Sequence, residues 1–163
     1  MDVQDIYDRY LPDVRRFALY LSGDPAVADD LTSEAFVRLW TARGEIRMPT
    51  VKAYLFAIVR NLYSTTRRRE RTSVMLDEGT PDPADDVEAH AVRRSELQNA
   101  RRLLGQLSPE ARAALLMRAA DMTYEDIASA LGISIAAAKV RVHRARLRLA
   151  ALKQEQEAAH EHH

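Results

Sequence analysis

The chain is predicted to be all-α, with two small helical domains joined by a flexible acidic linker and a helix-turn-helix in the second domain. Three observations predict it. Apolar residues recur at helical spacing along most of the chain, and no run alternates as a strand would. Thr72–Val92 holds six acids and no base, together with Gly79, Pro81 and Pro83 and few large apolar residues. Such a stretch cannot bury a core of its own. Met122–Leu149 reads as a short helix, a glycine turn and a second helix. These give a first domain over residues 1–71, a linker over 72–92, a second domain over 93–153 and a tail over 154–163.

In order along the chain, Val3, Ile6, Tyr7, Tyr10, Leu11, Val14, Phe17, Ala18 and Leu21 form one apolar stripe. Ser22-Gly23 ends that helix. Asp24 caps the next and Pro25 takes its first position, where a missing N–H costs nothing. There Val27, Leu31, Ala35, Leu39 and Trp40 are expected to face a core, leaving Asp29, Asp30, Ser33, Glu34, Val37 and Arg38 outside. Gly44–Thr50 has a proline and little periodicity and reads as a loop. A third helix follows, with Val51, Leu55, Ile58, Val59 and Leu62 inward. It ends in Arg67, Arg68, Arg69 and Arg71. Cations suit a helix C-terminus, but four arginines in five residues exceed what a dipole needs and point to phosphate contact.

Regular helix is expected again near Arg93, through Leu97, Ala100, Leu103, Leu104 and Leu107. Ser108-Pro109 starts another helix, and Asp121-Met122 turns the chain into the helix-turn-helix. Thr123 is an N-cap, with Asp126 placed to complete a capping box. Gly132 ends the short helix in the left-handed conformation, and Ser134 caps the last one.

Between Ile135 and Leu149 lie Lys139, Arg141, Arg144, Arg146, Arg148 and His143, with no acid. Ile135, Ala138, Val142, Ala145 and Leu149 share the expected inner side. Ala136, Lys139, Val140, His143 and Leu147 point the other way, with Arg144 at the edge and Arg141, Arg146 and Arg148 on the flanks. A helix charged with one sign after a turn of this size suits the major groove, where base edges form the floor and phosphates the walls.

The 24 basic and 24 acidic side chains cancel, but unevenly. Residues 1–71 carry 12 basic and 10 acidic, 93–163 carry 12 and eight, and the linker between them is wholly acidic. Without cysteine, disulfides and thiolate chemistry are excluded, in keeping with a reducing cytosol. No stretch approaches the roughly 20 apolar residues of a membrane span, and no signal peptide opens the chain, so membrane insertion is not expected. Asp82, Asp85 and Asp86 read as solvated linker, and the terminal HisGluHisHis has nothing to hold its imidazoles, so neither metal nor cofactor is expected.

ADDLTSEAFVRLW followed by AYLFAIVRNLYSTTRRRER, and then LSPEARAALLMRAADMTYEDIASALGISIAAAKVRVHRARLRL, together resemble the RNA polymerase sigma factors of bacteria. The small extracytoplasmic-function (ECF) group of the sigma-70 family is the most similar. The resemblance implies a cytoplasmic alternative sigma factor for transcription initiation, a DNA-binding and polymerase-binding subunit and not an enzyme. It implies that the first domain is region 2, meeting the β′ clamp helices through Asp30, Ser33 and Glu34, with Ser33 where the family usually has Gln. The loop with Arg47 and Met48, then Asn61 and Arg67, Arg68, Arg69 and Arg71, would hold the opened −10 element. Tyr54, Ala57 and Thr65 stand where the family often has Trp, Arg and Asp.

The second domain would be region 4. It would meet the β flap and read the −35 duplex with Lys139, Val140, Arg141, His143, Arg144, Arg146 and Arg148. An anti-sigma factor is an implied partner. The competing readings are a free-standing helix-turn-helix regulator, which leaves the Asp30–Glu34 and Asn61 patterns without purpose, and a nuclease, for which convergent carboxylates are lacking.

Overall fold

The computed structural model describes residues 2–42, 48–72 and 88–161, except the side chains of 71, 72, 88–94 and 97. Seven helices and no strand occur among them: α1 Val3–Ser22, α2 Pro25–Thr41, α3 Val51–Thr72, α4 Glu88–Gly105, α5 Pro109–Ala119, α6 Tyr124–Leu131 and α7 Ile135–Glu161. The chain is all-α, as the periodicity predicts.

The ends of these helices follow the punctuation of the sequence. Gly23 closes α1 at φ 74°, and Asp24 caps α2 by accepting from the N–H groups of Ala26 and Val27. Ser108 accepts from Ala111 N–H, Thr123 from Asp126 N–H and Ser134 from Ala137 N–H at 3.0 Å. Gly132 closes α6 at φ 68°. Each cap satisfies one of the amides that a helix end leaves without a partner.

Differences from the sequence reading appear at four places. Trp40 is 44% exposed and Ile135 46% exposed, so neither faces the core. Each lies at the border of its helix's apolar arc, where angle alone does not decide burial. Helix resumes at Glu88, before Arg93, and α7 runs on through the expected tail to Glu161. Leu152 is buried with Leu103, Leu104 and Leu107, and within the expected tail Gln156 Nε2 donates to Asn99 Oδ1, so both join α7 to α4. The expected linker otherwise falls on 73–87, outside the described residues.

The α1–α3 core is built on aromatics. Phe17 stacks on Phe56 with centroids 4.5 Å apart, and Tyr7 meets Phe36 edge-on at 4.9 Å. Around them Val14, Leu21, Leu31, Leu55 and Val59 are buried. The α5–α7 core is smaller in grain: Ala113, Ala114, Met117, Ile127, Ala128, Ala130, Ala138 and Val142. The two cores join in one continuous buried cluster, because α1 packs on α5 and α3 on α6. No described helix is long and apolar enough to cross a membrane.

Candidate nucleic-acid interface

On α2, the apolar arc fixes what is left outside. Leu31, Ala35 and Phe36 go inward, so Asp30, Ser33 and Glu34 are all exposed, with Val37 at 49% beside them. Arg38 Nε donates to Glu34 at 3.2 Å, one turn on, and Arg15 Nε donates to Asp29 at 2.9 Å. Asp30 and Glu34 lie four residues apart and share one face. The result is an exposed helix surface that is both acidic and apolar.

The inner stripe of α3 turns Asn61 outward. Its side-chain oxygen accepts from Arg60 Nη1 at 3.1 Å. Arg67 is half-buried, its guanidinium carbon 5.8 Å from the Tyr63 ring centroid, and its buried Nη1 has no acceptor among the described residues. Arg68 and Arg69 are exposed. Arg60, Asn61, Ser64, Thr65, Arg67 and Arg68 line a groove of about 560 Å³ whose far wall is Pro109 and Glu110 at the start of α5. Met48 is half-buried against the core, while Arg47 and the side chain of Arg71 fall outside the described residues.

On α7, Ala138, Val142 and Ala145 are buried. Lys139, Val140, His143, Arg144, Arg146 and Arg148 are exposed, and Arg141 is half-buried. Val140, Arg141, Arg144 and Arg148 line a second groove, about 700 Å³, against the α5 cap Ser108 and Glu110 of α5. Lys139 leaves the centre of the exposed face and leans toward α6, its Nζ 5.9 Å from the Tyr124 ring centroid. The helix therefore presents a ridge of Val140, His143 and Leu147 with cations along both sides.

Five residues that matter here carry no sequence signal of their own. Arg112, only 7% exposed, donates from Nη1 to the Leu21 carbonyl at the end of α1 and to the Tyr63 hydroxyl at 3.4 Å; its Nη2 reaches the Leu107 carbonyl at 3.4 Å. Lys52 Nζ donates in return to the Ala120 carbonyl at the end of α5 and lies 3.5 Å from Asp13. Each half thus sends one cation into a helix C-terminus of the other, where orphan carbonyls and the dipole favour it. Thr50, whose hydroxyl caps α3 by accepting from Ala53 N–H, also donates to the Asp126 carboxylate at 3.4 Å. The Asp126 carboxylate accordingly has a partner on the far half. Arg118 and Tyr124 form the remaining pair, 4.5 Å apart between guanidinium carbon and ring centroid.

The model of sigma-70 region 2 matches residues 6–72, and that of sigma-70 region 4 matches residues 97–149. The chain belongs to the sigma-70 family, in its ECF group. It is 33% identical to the ECF RNA polymerase sigma factor EcfG of Rhodopseudomonas palustris, across 87% of this chain and 80% of that one. It is 29% identical to the ECF RNA polymerase sigma factor SigM of Bacillus subtilis, across 93% and 95% respectively. Its fold matches that of the sigma factor RpoE of Bartonella quintana, solved with the anti-sigma factor NepR. The TM-score is 0.69 at 31% identity, over 93% of this chain and 98% of that one.

The chain is therefore an alternative sigma factor, a promoter-recognising partner of core RNA polymerase in transcription initiation. The free-standing regulator is disfavoured, because it gives no account of the region 2 match.

Proposed function

We propose that the two halves divide promoter recognition along the boundaries 1–71, 72–92 and 93–153, with 154–163 as a tail. The exposed face of α2, with Asp30, Ser33 and Glu34, docks on the β′ clamp helices of the polymerase. The groove beside Asn61, with Arg67, Arg68, Arg69, Arg71 and the Arg47–Met48 loop, holds the opened −10 strand. A base lifted from its stack is recognised by its edge, and the Asn61 amide both donates and accepts. Arg67 lines this groove, where a guanidinium suits a phosphate oxygen.

The α5–α7 half reads the −35 duplex and meets the β flap. Lys139, Val140, His143 and Arg144 face base edges, and Arg141, Arg146 and Arg148 face phosphates. Val140 suits a thymine methyl. The observation that carries this reading is the exposed cationic ridge of α7 behind a turn fixed by the Thr123 and Ser134 caps and Gly132.

The chain supplies recognition and the polymerase supplies catalysis; it acts in the cytoplasm and needs no cofactor. An anti-sigma factor, like the one bound to the Bartonella quintana protein, is the partner that would hold it in reserve.

Runoff transcription with core polymerase on genomic fragments tests the whole. Discrete transcripts that appear only when this protein is added are expected. Site-specific duplex binding by the protein alone, with no transcript from the reconstituted holoenzyme, would favour the free-standing regulator.

A further inference from the structure

We propose that Tyr124 is a positioning residue for promoter readout: its ring holds the Lys139 ammonium at one place on the recognition helix. The inference rests on α7 being the helix that reads the −35 duplex.

Tyr124 is the first residue of α6, the helix that precedes the turn, and it is half-buried. Its ring lies near two cations from two other helices. The Arg118 guanidinium carbon, from α5, is 4.5 Å from the centroid, and Lys139 Nζ, from α7, is 5.9 Å away. Both fall within the range in which a ring quadrupole attracts a cation. Arg118 is itself fixed, because its Nη1 donates to the Met122 carbonyl at 2.8 Å. The ring therefore rests on a pinned guanidinium, while Lys139 is exposed and reaches the same ring from α7.

A lysine on a free four-carbon stem is a flexible point charge that reaches phosphates and bases alike. Restricting its ammonium to the α6 side of the helix limits it to one edge of the groove floor. That converts a general cation into a position-specific one. The Tyr124 ring acts through Lys139 and need not touch a base.

The experiment uses holoenzyme reconstituted with the full chain and a promoter library randomised across the −35 element. Wild type, Tyr124→Leu, Tyr124→Phe, Lys139→Ala and the Tyr124→Leu/Lys139→Ala double variant are compared. Thermal melting of each variant reports folding. Tyr124→Leu is expected to lose about two- to fivefold discrimination, the worth of one exposed cation–π contact. The loss should fall at the base pair that Lys139→Ala affects. The double variant should lose no more than Lys139→Ala alone, and Tyr124→Phe should keep the wild-type preference.

In the free protein, the Lys139 ε-methylene protons should carry an upfield ring-current shift that Tyr124→Leu abolishes and Tyr124→Phe retains. This readout does not depend on DNA or on the stability of the complex. The inference is overturned if Tyr124→Leu weakens all sequences alike while Lys139→Ala still changes one base pair. It is overturned too if Tyr124→Phe behaves as Leu does, which would place the hydroxyl on the DNA backbone. If Lys139→Ala changes no preference at all, the docking of α7 read here fails, and the positioning role goes with it.

Discussion

The α1–α3 and α5–α7 halves are both three-helix units, yet they are held together by different means. In the first, long helices of 17 to 22 residues close around Phe17, Phe36 and Phe56. Large rings bury much area per residue. In the second, α5 and α6 have 11 and eight residues, and half of the residues they bury are alanine. Small side chains give little burial energy apiece but allow close helix approach. Caps and the Gly132 turn then set the angle between helices, which a DNA reader needs. The first half is built as a sturdy platform and the second for an exact presentation of α7.

Phe56→Ala should break the first platform. Phe56 is fully buried, and the loss should be about 3–5 kcal/mol. Met117→Ala, equally buried in the second half, should cost about 2–5 kcal/mol. Because one buried cluster runs through both halves, urea unfolding of either variant should remain a single transition at lower midpoint. Two resolved transitions would mean that the halves are independent.

The second test concerns what joins them. Arg112→Met leaves the Leu21 carbonyl without its charged donor, and about 2–3 kcal/mol of stability should be lost. Elements centred at −35 and −10 are separated by about 85 Å of duplex at about 3.4 Å per base pair. A compact chain of this length has a radius of gyration of about 15 Å, so both elements cannot be read while α3 packs on α6. Fluorescence transfer between dyes on α2 and α7 should therefore fall in Arg112→Met, reporting a larger share of parted halves. Unchanged transfer would mean that the apolar contacts alone hold them.

The third test sharpens the functional contrast. Arg144→Ala should lose about 1–3 kcal/mol and relax preference at one or two base pairs. Arg148→Ala should weaken all sequences alike and lower the salt slope by about one. Binding selections at two salt concentrations check both. If the roles were exchanged, α7 would be seated at a different rotation.

The smallest effect is expected on the α2 face. Asp30→Lys with Glu34→Lys should raise the concentration needed to compete for core polymerase about tenfold, roughly 1.4 kcal/mol. Both residues are exposed, so melting should stay within about 0.5 kcal/mol of wild type. Competition at the wild-type concentration would remove Asp30 and Glu34 from the polymerase interface.

The sequence by itself determined the helices and their ends. Apolar spacing marked the inner stripes, and Asp24-Pro25, Ser108-Pro109, Thr123, Gly132 and Ser134 act within a few residues of themselves, so their effect is readable locally. It determined as well that Asp30, Ser33 and Glu34 lie outside and that α7 is cationic. Only the tertiary structure decided which cations are structural. Arg112 and Lys52 look like any other charged residue in a helix. Each meets its carbonyl 91 and 68 positions away along the chain, and no local pattern encodes that distance. The same holds for Trp40 and Ile135, which lie at the borders of their apolar arcs and are left exposed by the packing. It holds for Lys139, drawn off the centre of its face by a ring from α6. Local rules fix the shape of each helix; which side chains are spent on packing is settled only when two surfaces meet.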